Sequence, residues 1–432
     1  MPAEFHRDGS QWPLFDVNES TPEDGIDVAS LPYSSFDREW LPDNSVYSDV
    51  FKYTNLSRLR EISQLSLLSS SGIFPGIGEF EEVFKHNRLD HSLTIARIGE
   101  EILTRNRFSE RDINVGIIAF LMHDIRDPAY GDATMKTDPA RLSEEDSFLS
   151  TVTDKERILF EKYGTTPGEI SDIIKNEGVL GKVLDVVDRL VYTVKDLHEI
   201  VGSDYKKGSG DKLDPELREI LKKYPDFGNL VKHIGVDQKT EEIYFSHPEM
   251  LETFLRVRAY LHKNLYYHPF SQGRDFLFSK LLAGAYMPGE DSGAHLTPNV
   301  LRQMNDWELT DFMKNQYGFA QKEYDFKKVL TNWYPEFKRY DTKQQAEEAA
   351  ELLKKNGSSV LGVQERPSFN TCTNYLVIPP GTNRAVPFYQ YASQEARAIQ
   401  QIAKDMPGYF VYYKNLSDDD SEIADLIRLF SQ

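Results

Sequence analysis

The chain has 432 residues, with 50 Lys plus Arg against 69 Asp plus Glu and a formal charge of −19. At 40% apolar residues it can bury a substantial core in about two or three units, which excludes global disorder. The acidic excess argues against strong nucleic-acid binding or an anionic-membrane partner, and the single cysteine, Cys372, excludes an intrachain disulfide framework and a Cys-rich zinc site.

Residues 1–45 are rich in Pro, Asp, Ser and Glu and read as an irregular N-terminal arm. The first thirty or so residues lack the basic and apolar regions of a signal peptide. The longest apolar run, near residues 113–122, is broken by Asn114 and Gly116, so no membrane span and a cytoplasmic location are expected. Across residues 46–287 apolar side chains recur at three- and four-residue spacing, which predicts a helical core. Within it, DHSLTIARIGEEIL starts a helix carrying His91, and GIIAFLMHDI is an almost wholly apolar helix ending in His123 and Asp124. A buried helix has no reason to carry that pair unless something neutralises it.

In GKVLDVVDRLVYTVKDLHEIVG, Val183, Val187, Leu190, Val194, Leu197 and Val201 form an apolar stripe. Asp188, Tyr192 and Asp196 follow at i, i+4 and i+8 on the ridge beside it, either a ligand face or a solvated acidic one. GSDYKKGSGD, residues 202–211, reads as a flexible loop. Arg258, His262 and Tyr266 repeat the i, i+4, i+8 spacing, either a functional basic and aromatic ridge or a surface stripe. Two imidazoles and two carboxylates suit Mn, Fe, Zn or Mg, with positions open to water and a phosphate oxygen.

Residues 288–432 change character. A helix over residues 344–355 is stopped by Gly357 and followed by strand-like SSVLGV, NYLVIPP and GYFVYY, and the acidic run at 418–420 starts a last apolar helical pattern. This predicts a smaller mixed α/β lobe. No GxGxxG or GxxxxGK[ST] loop is present.

Several blocks recur in a family-like order: LSRLREISQL (56–65), IFPG (73–76), RLDHSL (88–93), HDIRDPAYG (123–131), DRLVYTVKD (188–196) and FLRVRAYLHKNLYYHP (254–269). Over residues 55–270 the chain resembles the HD-domain metallophosphohydrolases, and among them the deoxynucleoside triphosphate triphosphohydrolases. The resemblance implies a mainly α fold, an HD-domain helical core with a smaller C-terminal α/β lobe. It implies one divalent metal ion (Mn, Fe, Mg or Zn) on His91, His123, Asp124 and Asp188. Gln64 and Asp196 match positions at the sugar 3′ side, and Tyr192 one near sugar and phosphates. Arg88, Arg189, Arg258 and His262 match phosphate-facing positions, with Arg189 where a lysine is usual. Tyr266 matches the aromatic on the deoxyribose and His268 a base-side residue.

The departures concern catalysis. Asp127 and Asp132 stand where the family has histidines, and Arg126 replaces a glycine. SEEDS at 143–147 resembles the family's HExxS, with Glu144 on its glutamate and Ser143 in place of its histidine. Asp127, Asp132 and Glu144 are therefore the expected catalytic positions. Asp127 can act as acid or base if burial raises its pKa, and pairing with Arg126 would oppose that. The implied reaction is hydrolysis of a dNTP to deoxynucleoside and triphosphate. The alternatives are a nucleotide-binding regulatory protein with catalysis lost, or a phosphohydrolase or phosphodiesterase for another nucleotide. Family relatives commonly assemble, so a homo-oligomer is expected.

Overall fold

The computed structural model describes residues 45–65, 72–74, 78–80, 86–206, 214–223, 227–286, 296–316 and 336–414. The arm up to residue 44 and the helix expected after residue 418 lie outside them.

The fold is mainly α with a smaller α/β part. Its helices are α1 (Ser45–Tyr53), α2 (Arg88–Arg105), α3 (Glu110–Met122), α4 (Gly131–Met135), α5 (Pro139–Leu142), α6 (Glu144–Ser147), α7 (Asp154–Lys162), α8 (Pro167–Ile174) and α9 (Gly178–Lys206). Later in the chain come α10 (Pro215–Lys223), α11 (Pro248–Leu261), α12 (Pro269–Ala283), α13 (Pro298–Gln303), α14 (Asp306–Gln316), α15 (Lys343–Lys355), α16 (Phe388–Tyr391) and α17 (Ser393–Asp405). Residues 202–206 continue α9, so the helix overrides the loop signal that Gly202 and Ser203 carry.

Caps start the two helices that matter most. The Asn87 side chain accepts from Asp90 N–H at 2.9 Å to open α2, and Ser109 Oγ accepts from Asp112 N–H at 3.1 Å to open α3. From Val115 to Met122 every α3 residue is buried. Glycines let α2 and α3 approach closely: a Cβ at Gly99 would overlap the Phe120 ring, and one at Gly116 would come within 2.7 Å of Leu103 Cδ1. Helix α9 packs its expected stripe inward, with Val183, Val187, Leu190, Val194 and Leu197 all buried. The side chain of Val201 lies outside the described residues.

The β-structure is small. β1 (Gly72–Phe74) and β2 (Gly78–Phe80) form an antiparallel pair. β3 (Ile234–Asp237), β4 (Glu242–Phe245), β7 (Leu376–Val377) and β8 (Val386–Pro387) form a sheet in that order, β4 and β7 running parallel. Part of the chain beyond residue 288 is thereby hydrogen-bonded to the helical core, and Phe369, Val377, Phe388 and Ile399 join its main apolar cluster. β5 (Glu336–Tyr340), β9 (Gly408–Lys414) and β6 (Ser359–Arg366) form an antiparallel sheet, covered by Ala346 and Ala350 of α15. Among the described residues no helix is long and apolar enough to cross a membrane.

One buried cation makes the stability of the fold rise in the alkaline range. Lys195 of α9 donates to Asp90 O at 2.9 Å, and burial pushes its ammonium down to about 8 from 10.5. The unfolded chain keeps that proton to higher pH than the folded chain, so stability rises with pH between those values. The rise is about 3 kcal/mol in all, at up to about 1.4 kcal/mol per pH unit. Urea melts of wild type and Lys195→Met from pH 8 to 10.5 check this: the variant is expected to lose that part of the slope.

Candidate metal centre and its cavity

Three helices bring the expected ligands together. His91 sits in the first turn of α2, His123 caps the C-terminus of α3 with Asp124 next to it, and Asp188 lies midway along α9. His91 Nε2 is 2.8 Å from Asp188 Oδ1 and 4.0 Å from Asp124 Oδ2. His123 Nε2 is 3.2 Å from Asp124 Oδ1, and the two imidazole centroids are 5.4 Å apart. Ligand atoms of His91, His123 and Asp188 all lie within 4.8 Å of one another.

The donor chemistry fits a divalent cation. His123 Nδ1 is 2.8 Å from Phe120 O, and a carbonyl only accepts, so Nδ1 carries the proton and Nε2 keeps its lone pair. That Nε2 is buried with no hydrogen-bond partner. Burial lowers the His91 pKa more than Asp188 and Asp124 raise it, which favours neutral imidazole. Burial raises the Asp188 carboxyl, yet His91 and His123 outweigh it and hold it low. In the same way His123, Arg88 and His91 overcome burial at Asp124 and bring it to about 2. A neutral His91 and ionised carboxylates are protonation states a cation binds.

Arg88 locks one ligand in place. Its Nη1 is 3.0 Å from Asp124 Oδ2 and also pairs with Asp127 Oδ2. Gly131 makes room for that guanidinium: at φ +42° it favours glycine, and a Cβ there would sit 2.6 Å from Arg88 Nη2. Asp127 is fully buried in this pair and does not line the cavity. The pairing of Asp127 with Arg126 is not made. Arg126 turns instead to Thr151 Oγ1 and Glu156 Oε2, both at 2.7 Å. Asp132 is exposed and lines the cavity, whereas the Glu144 side chain lies outside the described residues.

The cavity beside the cluster has a volume of about 680 Å³. Gln64, Arg88, Tyr192, Asp196, His262 and Tyr266 line it, together with His91, Asp124 and Asp188. The second ridge departs from simple helical spacing, because α11 ends at Leu261 and His262–Tyr266 forms a π-helical turn. Such a turn adds a residue and rotates the next stretch of chain about the helix axis. Tyr266 still meets Tyr192 edge-on at 5.8 Å and His262 at 5.1 Å. Its hydroxyl donates to Asp196 Oδ2, and Asp196 Oδ1 is 3.0 Å from His86 Nε2. Asp196 therefore holds Tyr266, and burial with that carboxylate pushes the phenol pKa well up. His86 carries no sequence signal of its own, since it belongs to no helical pattern and meets Asp196 only across the fold.

Arg189, Arg258 and His268 do not line the cavity. Arg258 donates through Nε to Tyr192 Oη at 2.7 Å and through Nη1 to Asn370 O. Arg189 donates to Asp185 Oδ1 at 2.9 Å and reaches Cys372 Sγ at 3.5 Å. Phe369 stacks on His262 at 4.6 Å and 6°. Residues 369–372 thus sit over the two arginines. His268 caps α12, its Nδ1 accepting from Phe270 N–H at 3.2 Å, and burial lowers its pKa to about 4.

The sequence does not single out Lys136, Gln272 and Asp275, which also line the cavity. Lys136 Nζ is 2.7 Å from Asp275 Oδ2 and 3.1 Å from Gln272 Oε1. Six lining carboxylates, Asp124, Asp132, Asp188, Asp196, Asp275 and Glu365, face only two lining basic side chains of Lys or Arg type, Arg88 and Lys136. An anionic ligand in such a cavity needs a bound cation.

No protein-family model matches the chain, and no curated protein matches its sequence. Its fold is similar to the crystal structure of a phosphohydrolase from Bacteroides thetaiotaomicron, with a TM-score of 0.60 and 14% identity over 87% of this chain and 96% of that one. It is also similar to that of a hypothetical protein from Aquifex aeolicus, with a TM-score of 0.54 and 16% identity over 90% of this chain and 99% of that one. At these identities the likeness concerns the fold.

Proposed function

We propose that this protein is a metal-dependent phosphohydrolase of the HD type, that His91, His123, Asp124 and Asp188 hold its cation, and that its substrate is a nucleotide. The observation that carries this reading is the convergence of His91, His123 and Asp188 from three helices, with His91, Asp124 and Asp188 lining one large cavity. The fold it shares with a protein named as a phosphohydrolase supports it. A divalent cation held there would supply Lewis-acid chemistry for a phosphoryl oxygen and for the attacking water.

The chain's own residues do the rest. The Phe120 carbonyl keeps His123 in the tautomer that leaves Nε2 free, and Arg88 fixes the rotamer of Asp124. Tyr192 and Tyr266 form an edge-to-face aromatic wall suited to a sugar ring. Asp127 is committed to Arg88, whereas Asp132 lines the cavity and is proposed to hold or relay a proton there.

Deoxynucleoside triphosphates are the finer proposal, resting on the sequence resemblance. A triphosphate would draw on Arg258 and Arg189, which must leave Asn370 and Cys372 to reach it; a monophosphate or cyclic ester would not. The test is a product screen by ion-exchange chromatography. Wild type and Arg258→Ala are incubated with each dNTP, with nucleoside monophosphates and with cyclic nucleotides, in Mn, Fe, Mg or Zn. Release of deoxynucleoside and triphosphate, falling at least tenfold in Arg258→Ala, is the expected result. Cleavage of smaller esters alone, equal in both proteins, moves the substrate to that class. The sequestered Asp127 and covered arginines favour one other reading, a regulatory protein that binds nucleotide without turnover. Calorimetric binding with no product would select it.

A further inference from the structure

We propose that residues 367–373 form a latch over an anion seat at Arg258, and that a polyphosphate anion opens it. The inference rests on the nucleotide reading of the neighbouring cavity and adds a controlled opening to that site. Arg258 is 4% exposed, and its described acceptors, the Tyr192 hydroxyl and the Asn370 carbonyl, are both uncharged. Arg189 adds a second positive charge that repels it. A buried guanidinium held by neutral oxygens alone is costly, and a phosphate oxygen makes a stronger, charge-assisted bond to it than a carbonyl does. The Asn370 carbonyl therefore stands where an anion would be held more tightly.

The fold decides which partner yields. Arg258 is fixed, because it rises from the buried face of α11 and its Nε is tied to Tyr192 Oη at 2.7 Å. Residues 367–372 belong to no helix or strand, and Pro367, Ser368 and Asn370 are exposed. Anchors to α17 stand at either end: Ser368 Oγ donates to Ala403 O and Gln400 Nε2 to Thr373 Oγ1, both at 2.9 Å. Between them Phe369 stacks on His262 and lies 5.7 Å from the Arg258 guanidinium. Cys372 takes φ +54°, a left-handed conformation that a β-carbon disfavours, while Asn370 Oδ1 accepts its N–H at 3.0 Å. The latch borders the cavity: Pro367 lines it, and so do His262 and Tyr192, which Phe369 and Arg258 touch.

Cys372 is the only cysteine of the chain and is 2% exposed, with Sγ 3.5 Å from Arg189 Nη1, so its alkylation reports the latch directly. Full-length protein is treated with iodoacetamide, a neutral reagent, and followed by intact mass. The arms are buffer alone, inorganic triphosphate, potassium chloride at equal ionic strength, and EDTA, which strips metal without supplying phosphate. Triphosphate is expected to speed alkylation saturably by about tenfold or more, while chloride and EDTA leave the rate within about twofold. Phe369→Ala is expected to speed it by a similar factor with no anion present, and Arg258→Met to lose the response to triphosphate. In wild type below the urea transition, alkylation is expected to depend only weakly on urea, as local opening does; a dependence equal to that of the global melt overturns the latch. So does alkylation unchanged or slowed by triphosphate, a rise matched by chloride or EDTA, or a full response in Arg258→Met. Triphosphate-driven alkylation in a protein that hydrolyses no nucleotide keeps the latch and removes the proposed reaction. Hydrolysis beside alkylation indifferent to triphosphate does the reverse.

Discussion

Replacing Asp188 by alanine is expected to empty the metal centre and lower phosphoester hydrolysis by about 10³-fold or more, which is about 4 kcal/mol of transition-state stabilisation. Asp188 is the carboxylate that joins α9 to the His91 and His123 pair, and no other side chain in that trio comes from α9. It is half-buried and its removal leaves the α9 stripe untouched, so the helix is expected to fold as before. Elemental analysis of purified wild type and Asp188→Ala, beside rates on the best substrate, checks the claim. A variant that keeps both its metal and its rate would remove the basis for the functional reading. Asp188→Asn is a milder version: it keeps an oxygen but lacks the charge that His91 and a cation both meet.

Gly99→Leu is expected to destabilise the fold by about 3 kcal/mol and to displace the metal ligands as well. His91, Ile95 and Gly99 follow at i, i+4 and i+8 on the same face of α2, and a Cβ at Gly99 already overlaps the Phe120 ring. Phe120 is also the residue whose carbonyl sets the His123 tautomer. A wedge between α2 and α3 therefore pushes on both imidazoles at once. Urea denaturation gives the loss of stability, and metal content under native conditions gives the displacement. Val411→Ala, in the apolar cluster of the three-stranded sheet, serves as the control: it is expected to cost stability while leaving metal binding intact. Equal metal loss in both variants would show that the effect is general unfolding.

Periodicity makes much of this protein readable. The α9 stripe, the helix capped by His123, and the helix ended by Gly357 at φ +87° each depend on residues a few positions apart. Local signals mislead where a longer element wins: Gly202 and Ser203 look like a loop, yet the helix that starts at Gly178 runs through them. The π turn at His262–Tyr266 is equally hidden, since no residue type announces an extra residue in a turn.

Residue order was enough to establish the helical class and to bring His91, His123, Asp124 and Asp188 to notice, because caps, spacing and burial of apolar stripes are local properties. What the long polar side chains touch emerged only from the packed molecule. Arg88 takes Asp127, Arg126 takes Glu156, Arg258 takes the Asn370 carbonyl and Lys136 takes Asp275. Helical period sets the direction of a Cβ about its own axis, while a flexible arginine or lysine selects among whatever charges the packing of distant segments brings within reach.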